Sequence, residues 1–130
     1  MKLLVVEDEP MLLEAIGKKL EKEKIQVLLA DSAKKGFKFL TSEKKLPDAI
    51  WLDYYLKDLT GLDFVIELKK NKKWADIPII VVSNSASTEK VNSMLALGVN
   101  KYLLKANFRL EDIIKEVSNL IKTNEKDTCR

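Results

Sequence analysis

Five polar residues close four apolar runs of this chain. Glu7 and Asp8 follow residues 3–6, Asp53 follows 49–52, Ser83 follows 79–82 and Lys105 follows 102–104. Another apolar run, 25–30, ends at Ala30 and Asp31 and offers nothing beyond a helix cap. Carboxylates crowded at low effective dielectric repel one another, and either a raised pKa or a hard cation relieves the repulsion. Mg²⁺ takes oxygen ligands and is commonly held by one or two carboxylates together with a substrate phosphate. Glu7, Asp8 and Asp53 suit that ion, and a chain with no His and one Cys offers no softer site. The Ser83 hydroxyl and the Lys105 ammonium are both groups that bind phosphoryl oxygens. A carboxylate can itself attack phosphorus and become an aspartyl phosphate. The assembled chemistry is phosphoryl transfer to an aspartate, assisted by Mg²⁺ and Lys105. Each residue alone has a plainer role: Asp53 in a turn, Glu7 and Asp8 at the start of a helix before Pro10, Ser83 in a loop, Lys105 on the surface. Four run ends carrying the right groups in the right order outweigh those separate roles.

Such a rim needs strands that all end on one side. The short apolar runs alternate with amphipathic stretches, in five βα units. Residues 11–24 place Leu12, Leu13, Ile16 and Leu20 at helical spacing. Asp31 or Ser32 caps a helix that carries Ala33, Phe37 and Leu40 on one face. Residues 62–70 read as a helix through Leu62, Val65, Ile66 and Lys69. Ser87 caps the next helix, Val91, Met94 and Leu95 give it a face, and Gly98 stops it. The clearest amphipathic helix runs through Leu110, Ile113, Ile114, Val117, Leu120 and Ile121. Three of the strand runs are apolar throughout, which implies burial on both faces and hence a parallel sheet between helical layers. Right-handed crossovers make this a three-layer α/β domain, and ligands then bind beyond the carboxyl ends of the strands.

At 130 residues the chain is one domain, expected over 1–123, with a polar tail over 124–130 that frays. The balance of 46% hydrophobic and 33% charged residues excludes disordered, collagen-like and membrane-spanning chains. With no stretch approaching ~18 apolar residues and no signal peptide, a cytoplasmic location is expected. The net charge is only +3 and lysines are spread over nearly every helix, so no direct nucleic-acid contact is expected. Cys129, alone and in the tail, makes no internal disulfide. The absence of His removes Ser-His-Asp catalysis and most zinc sites.

Four segments in order, LLVVEDE, WLDYYLKDLTG, IIVVSNS and KYLLK, resemble the receiver domains of two-component response regulators, and the likeness spans about residues 2–122. The resemblance implies a flavodoxin-like fold with a five-stranded parallel sheet in the order 2-1-3-4-5. It implies that Asp53 accepts a phosphoryl group, and that Glu7, Asp8, Asp53 and the backbone carbonyl of Tyr55 hold Mg²⁺. Ser83 becomes the switch hydroxyl, Lys105 the family lysine and Tyr102 the switch aromatic, which enters space vacated by Ser83 from a more exposed rotamer. The donor implied is a phosphohistidine on a sensor histidine kinase or phosphotransfer protein. The output is a partner or homodimer surface made of the fourth helix, fifth strand and fifth helix. The chain would be no enzyme beyond self-catalysed phosphorylation and dephosphorylation. Fewer than ten residues follow the last expected helix, so no output domain is expected behind it.

Some positions depart from that pattern. Ala106 and Asn107 stand where the family usually has Pro after the lysine, so a trans bond or a reshaped loop is expected there. Lys57 replaces a common proline, although Gly61 is kept. Asn84 follows the switch hydroxyl where Ala or Gly is usual, and with Tyr55 it is expected to screen an aspartyl phosphate from water. The main alternative is a receiver-like interaction module that works without phosphorylation; the complete acidic set with Lys105 argues against it. A flavin or nucleotide binder would need a Ser/Thr/Gly-rich loop where Glu7-Asp8-Glu9-Pro10 stands. An aspartate-based phosphatase would want a second Asp where Tyr55 stands.

Overall fold

The structure, a computed structural model, describes residues 1–85 and 87–128, with 124–128 as backbone only. Five strands, β1 (Lys2–Val6), β2 (Gln26–Ala30), β3 (Ala49–Asp53), β4 (Ile79–Ser83) and β5 (Lys101–Leu104), alternate with five helices. The helices are α1 (Pro10–Lys22), α2 (Ala33–Ser42), α3 (Gly61–Lys70), α4 (Thr88–Ala96) and α5 (Leu110–Thr128). The strands form one parallel sheet in the order β2-β1-β3-β4-β5, as the resemblance implied.

The three apolar runs are the inner strands. β3 and β4 are buried at every position and β1 at all but its first, while the edge strands β2 and β5 are only partly covered. Alternation sorts their side chains into two core layers. Leu4, Val6, Ile50, Leu52 and Val81 pack with Phe64, Leu68 and Met94 of α3 and α4. Leu3, Val5, Trp51 and Val82 pack with Ile16 and Leu20 of α1 and Ile113 and Val117 of α5.

Helix starts follow the sequence closely. Ser32, Thr60 and Ser87 each accept a hydrogen bond from a backbone N–H three residues on, which satisfies a donor that the first turn leaves free. Pro10 opens α1, where its missing N–H costs nothing. Gly98, at φ +96, follows α4 in the left-handed region that glycine adopts without strain.

Two expectations need correction. The buried face of α3 is Phe64, Val65 and Leu68 with Leu62 packed beside it; of the expected Leu62, Val65, Ile66 and Lys69, Ile66 faces solvent instead, because Phe64 and Leu68, one turn apart, take the core side. On α4 only Met94 is fully buried, and Leu95 faces solvent. α5 spans Leu110–Thr128, since residues 122–128 contain neither Pro nor Gly to stop it. Cys129 lies outside the described residues. No helix among the described residues is long and apolar enough to cross a membrane.

Candidate phosphoryl-transfer site

The sheet register brings the run ends together. Val6 pairs with Leu52, so Glu7 and Asp53 emerge side by side from neighbouring strands. Asp53 pairs with Val82, and Ser83 pairs with Leu104, the residue before Lys105. One carboxylate oxygen each from Glu7, Asp8 and Asp53 lies within 4.8 Å of the others. Lys105 Nζ sits 3.2 Å from Glu7 Oε1 and 3.6 Å from Asp53 Oδ2. Glu9 caps α1 without a side-chain bond, so Glu7 and Asp8 are not used as helix caps.

Glu7 is the most deeply placed acid of the set, only 2% exposed, and its Oε2 is buried and receives no hydrogen bond from any donor. Its pKa is pushed up to about 8. Burial is the main cause, followed by a hydrogen bond to Asp53 that a proton on Glu7 provides and by the Asp53 charge; Lys105 pulls the other way. An all-carboxylate donor set with an orphaned buried oxygen fits a hard divalent cation, which would replace that proton.

The remaining residues surround this centre. Ser83 is fully buried, and its Oγ accepts the Ser85 backbone N–H at 3.3 Å. Tyr102 is not in an exposed rotamer: it is half-buried against the core layer, and its hydroxyl donates to the Ser85 carbonyl at 2.6 Å. Burial raises its pKa, against a hydrogen bond with Ser83 that lowers it. Tyr55 is 49% exposed, and its hydroxyl is bonded to Lys90 of α4, which pulls the phenol below its ordinary pKa. Asn84 is exposed. No cis peptide occurs among the described residues, and Lys105–Asn107 form a 3-10 turn in place of the usual proline-bearing loop.

Two contributors have little sequence signal. Lys90 is one lysine among many until its contacts are seen. Asp58 reaches from the loop after β3 to the start of α2, where its carboxylate accepts the Ala33 and Lys34 N–H groups, each at 3.0 Å. That clamp supplies restraint where Lys57 replaces a proline, and Lys57 itself lies 3.5 Å from Asp31. Burial raises the Asp58 pKa, but the backbone bonds from Lys34 and Ala33, with those of its own loop, outweigh it and the net shift is downward. Asp58→Ala is expected to lower unfolding free energy by about 1 kcal/mol near neutral pH, the usual worth of a cap. A depressed carboxylate pKa stabilises above the unfolded value near 3.8 and loses that contribution as pH falls through the folded one. Urea melts taken at pH 7 and at successively lower pH should therefore show the gap between wild type and variant shrinking toward the acid end.

Comparison with known proteins identifies the family and the fold. The family model described as "Response regulator receiver domain" matches residues 3–118. The rice (Oryza sativa subsp. indica) protein "Two-component response regulator ORR8" is 30% identical over 103 residues, covering 79% of this chain and 84% of that protein. Among solved structures, the Francisella response regulator 1452 receiver domain superposes with TM-score 0.83 at 27% identity, covering 95% of this chain and 98% of that one. A receiver domain protein from Clostridium thermocellum gives TM-score 0.84 at 26% identity, over 99% and 98% of the two chains. The family model covers most of the chain and the fold matches those solved receiver structures, and the chain belongs to the response regulator receiver family.

Proposed function

We propose that Asp53 is the residue phosphorylated, and that Glu7, Asp8, Asp53 and the backbone carbonyl of Tyr55 hold Mg²⁺. The convergence of Asp53 with Glu7, Asp8 and Lys105 carries this reading. An Asp53 carboxylate oxygen attacks phosphorus; the new O–P bond forms as the P–N bond of a phosphohistidine breaks, and the imidazole leaves. The donor is a sensor histidine kinase or phosphotransfer protein, which fits a chain with no His of its own. When bound, Mg²⁺ neutralises the acids and the entering phosphoryl oxygens. The Lys105 ammonium, already 3.6 Å from Asp53 Oδ2, holds another of those oxygens. The Ser83 hydroxyl, one residue past the Val82 that pairs with Asp53, turns toward the phosphoryl group and releases the Ser85 N–H. The loop between β4 and α4 then shifts, and the surface of α4, β5 and α5, where Leu95 is exposed, changes for a partner or a second copy.

The test uses acetyl phosphate as donor and intact mass as readout. One phosphoryl gain that requires Mg²⁺ and disappears in Asp53→Asn is expected. No gain in wild type would favour the module that works without phosphorylation.

A further inference from the structure

Lys90 occupies an unusual place for a helix-surface lysine. Its backbone N–H is fixed by the Ser87 cap at 3.2 Å, so its side chain leaves from the first turn of α4. The ammonium bonds the Tyr55 hydroxyl and lies 3.1 Å from Ser85 Oγ. It also sits 4.6 Å from the centre of the Tyr55 ring and 5.1 Å from that of Tyr54, within cation–π range of both. Tyr54 in turn lies 6.4 Å, centre to centre, from Tyr102. Ser85 is held at three points: its N–H by Ser83 Oγ, its Oγ by Lys90 and its carbonyl by the Tyr102 hydroxyl. Lys90 therefore joins the segment after Asp53 to the segment after Ser83, at the residue that anchors Tyr102.

We propose that Lys90 is a positioning residue that latches Tyr102 inward: by tying Tyr55 to Ser85, it keeps the Ser85 carbonyl where the Tyr102 hydroxyl can donate to it. The latch operates without a phosphoryl group. Its meaning for signalling rests on the receiver reading: Ser83 would give up one of the three holds on Ser85 when Asp53 is phosphorylated, and Lys90 would supply a hold that remains. The inward tyrosine and the loop it anchors are then partly preset in the resting protein, and the strength of the latch sets how much phosphorylation adds.

The protein's own composition supplies the probe. It has three tyrosines, Tyr54, Tyr55 and Tyr102, all in this cluster. Uniform labelling with 3-fluorotyrosine gives three ¹⁹F signals, assigned by single Tyr→Phe variants. In the unphosphorylated protein, Lys90→Met is expected to shift the Tyr55 and Tyr102 signals toward the position of free 3-fluorotyrosine. Lys90→Arg keeps a cation and donors and is expected to hold Tyr102 near its wild-type position. Tyr55→Phe removes the other end of the tie and should move Tyr102 in the same direction as Lys90→Met. A Tyr102 signal unmoved in Lys90→Met and in Tyr55→Phe overturns the latch, as does equal displacement in the Met and Arg variants. The readout needs no phosphorylation, so its failure would leave Asp53 untouched as acceptor, and a failure to phosphorylate Asp53 would leave this readout intact.

Discussion

Gly61→Ala is expected to impair phosphorylation and folding together. The segment after Asp53 turns back on itself: Leu56 N–H bonds the Leu59 carbonyl at 3.2 Å, Tyr55 bridges Thr60, and Gly61 N–H donates to the Tyr54 carbonyl. A Cβ at Gly61 would stand 2.8 Å from the Asp53 carbonyl oxygen and 2.9 Å from Tyr54 Cα. Both obstacles are backbone, which cannot rotate away. Overpacking of this kind costs about 1–3 kcal/mol. Relief requires moving the strand end that carries the acceptor, and a displacement near 1 Å costs roughly a hundredfold in rate. Gly17→Ala is the control. Its Cβ would meet the terminal methyl of Leu29 at 2.7 Å, a side chain free to turn, and on α1 it leaves the rim alone. Thermal melts and phosphorylation time courses should show both rate and stability falling for Gly61→Ala and, for Gly17→Ala, at most stability. A normal rate in Gly61→Ala would refute the argument.

The second large effect concerns pH and divalent cations. Glu7 faces Asp53, Asp8 and Lys105, and its folded pKa of about 8 stands above the ordinary 4.5. Without a metal, the folded protein keeps a proton that the unfolded chain gives up. The Glu7 contribution to stability is therefore complete below pH 4.5 and declines as pH rises to about 8. Glu7→Gln should remove that decline, so its advantage over wild type in metal-free buffer grows between pH 5 and 8. Mg²⁺ must displace the same proton, so its affinity should rise by up to about tenfold per pH unit below 8. Titration calorimetry at pH 6, 7 and 8 checks this, with proton release seen in buffers of different ionisation heat. An affinity that does not change with pH would show that Glu7 is already ionised.

Much of the site is legible in the sequence because parallel strands convert order along the chain into neighbourhood. Glu7, Asp53, Ser83 and Lys105 each terminate an apolar run, and residue pairing such as Val6 with Leu52 sets them level. Continuous burial of β3 and β4 follows from their unbroken apolar character. The face of α3 is less legible, since Ile66 fits helical spacing with Leu62 and Val65 as well as Phe64 and Leu68 do; only packing chooses between them. Asp58 and Lys90 act through contacts with residues 24 to 35 positions away, which no local pattern encodes. The inward Tyr102 depends on a loop carbonyl, and carbonyl directions are not written in side-chain types.

The place of β3 in the sheet has a further consequence. It is the middle strand, flanked by β1 and β4 and covered on both faces, whereas β5 has one neighbour and partial cover. Amide hydrogens of the middle strand should exchange only through global opening, while those of β5 exchange through cheaper local fraying. The aspartate proposed as acceptor is thus bolted to the stiffest part of the domain, and the tyrosine proposed to report it rides on the softest. A perturbation at the rigid centre has little room to spread there, so its strain escapes toward the border strand, where small free energies suffice to rearrange the chain.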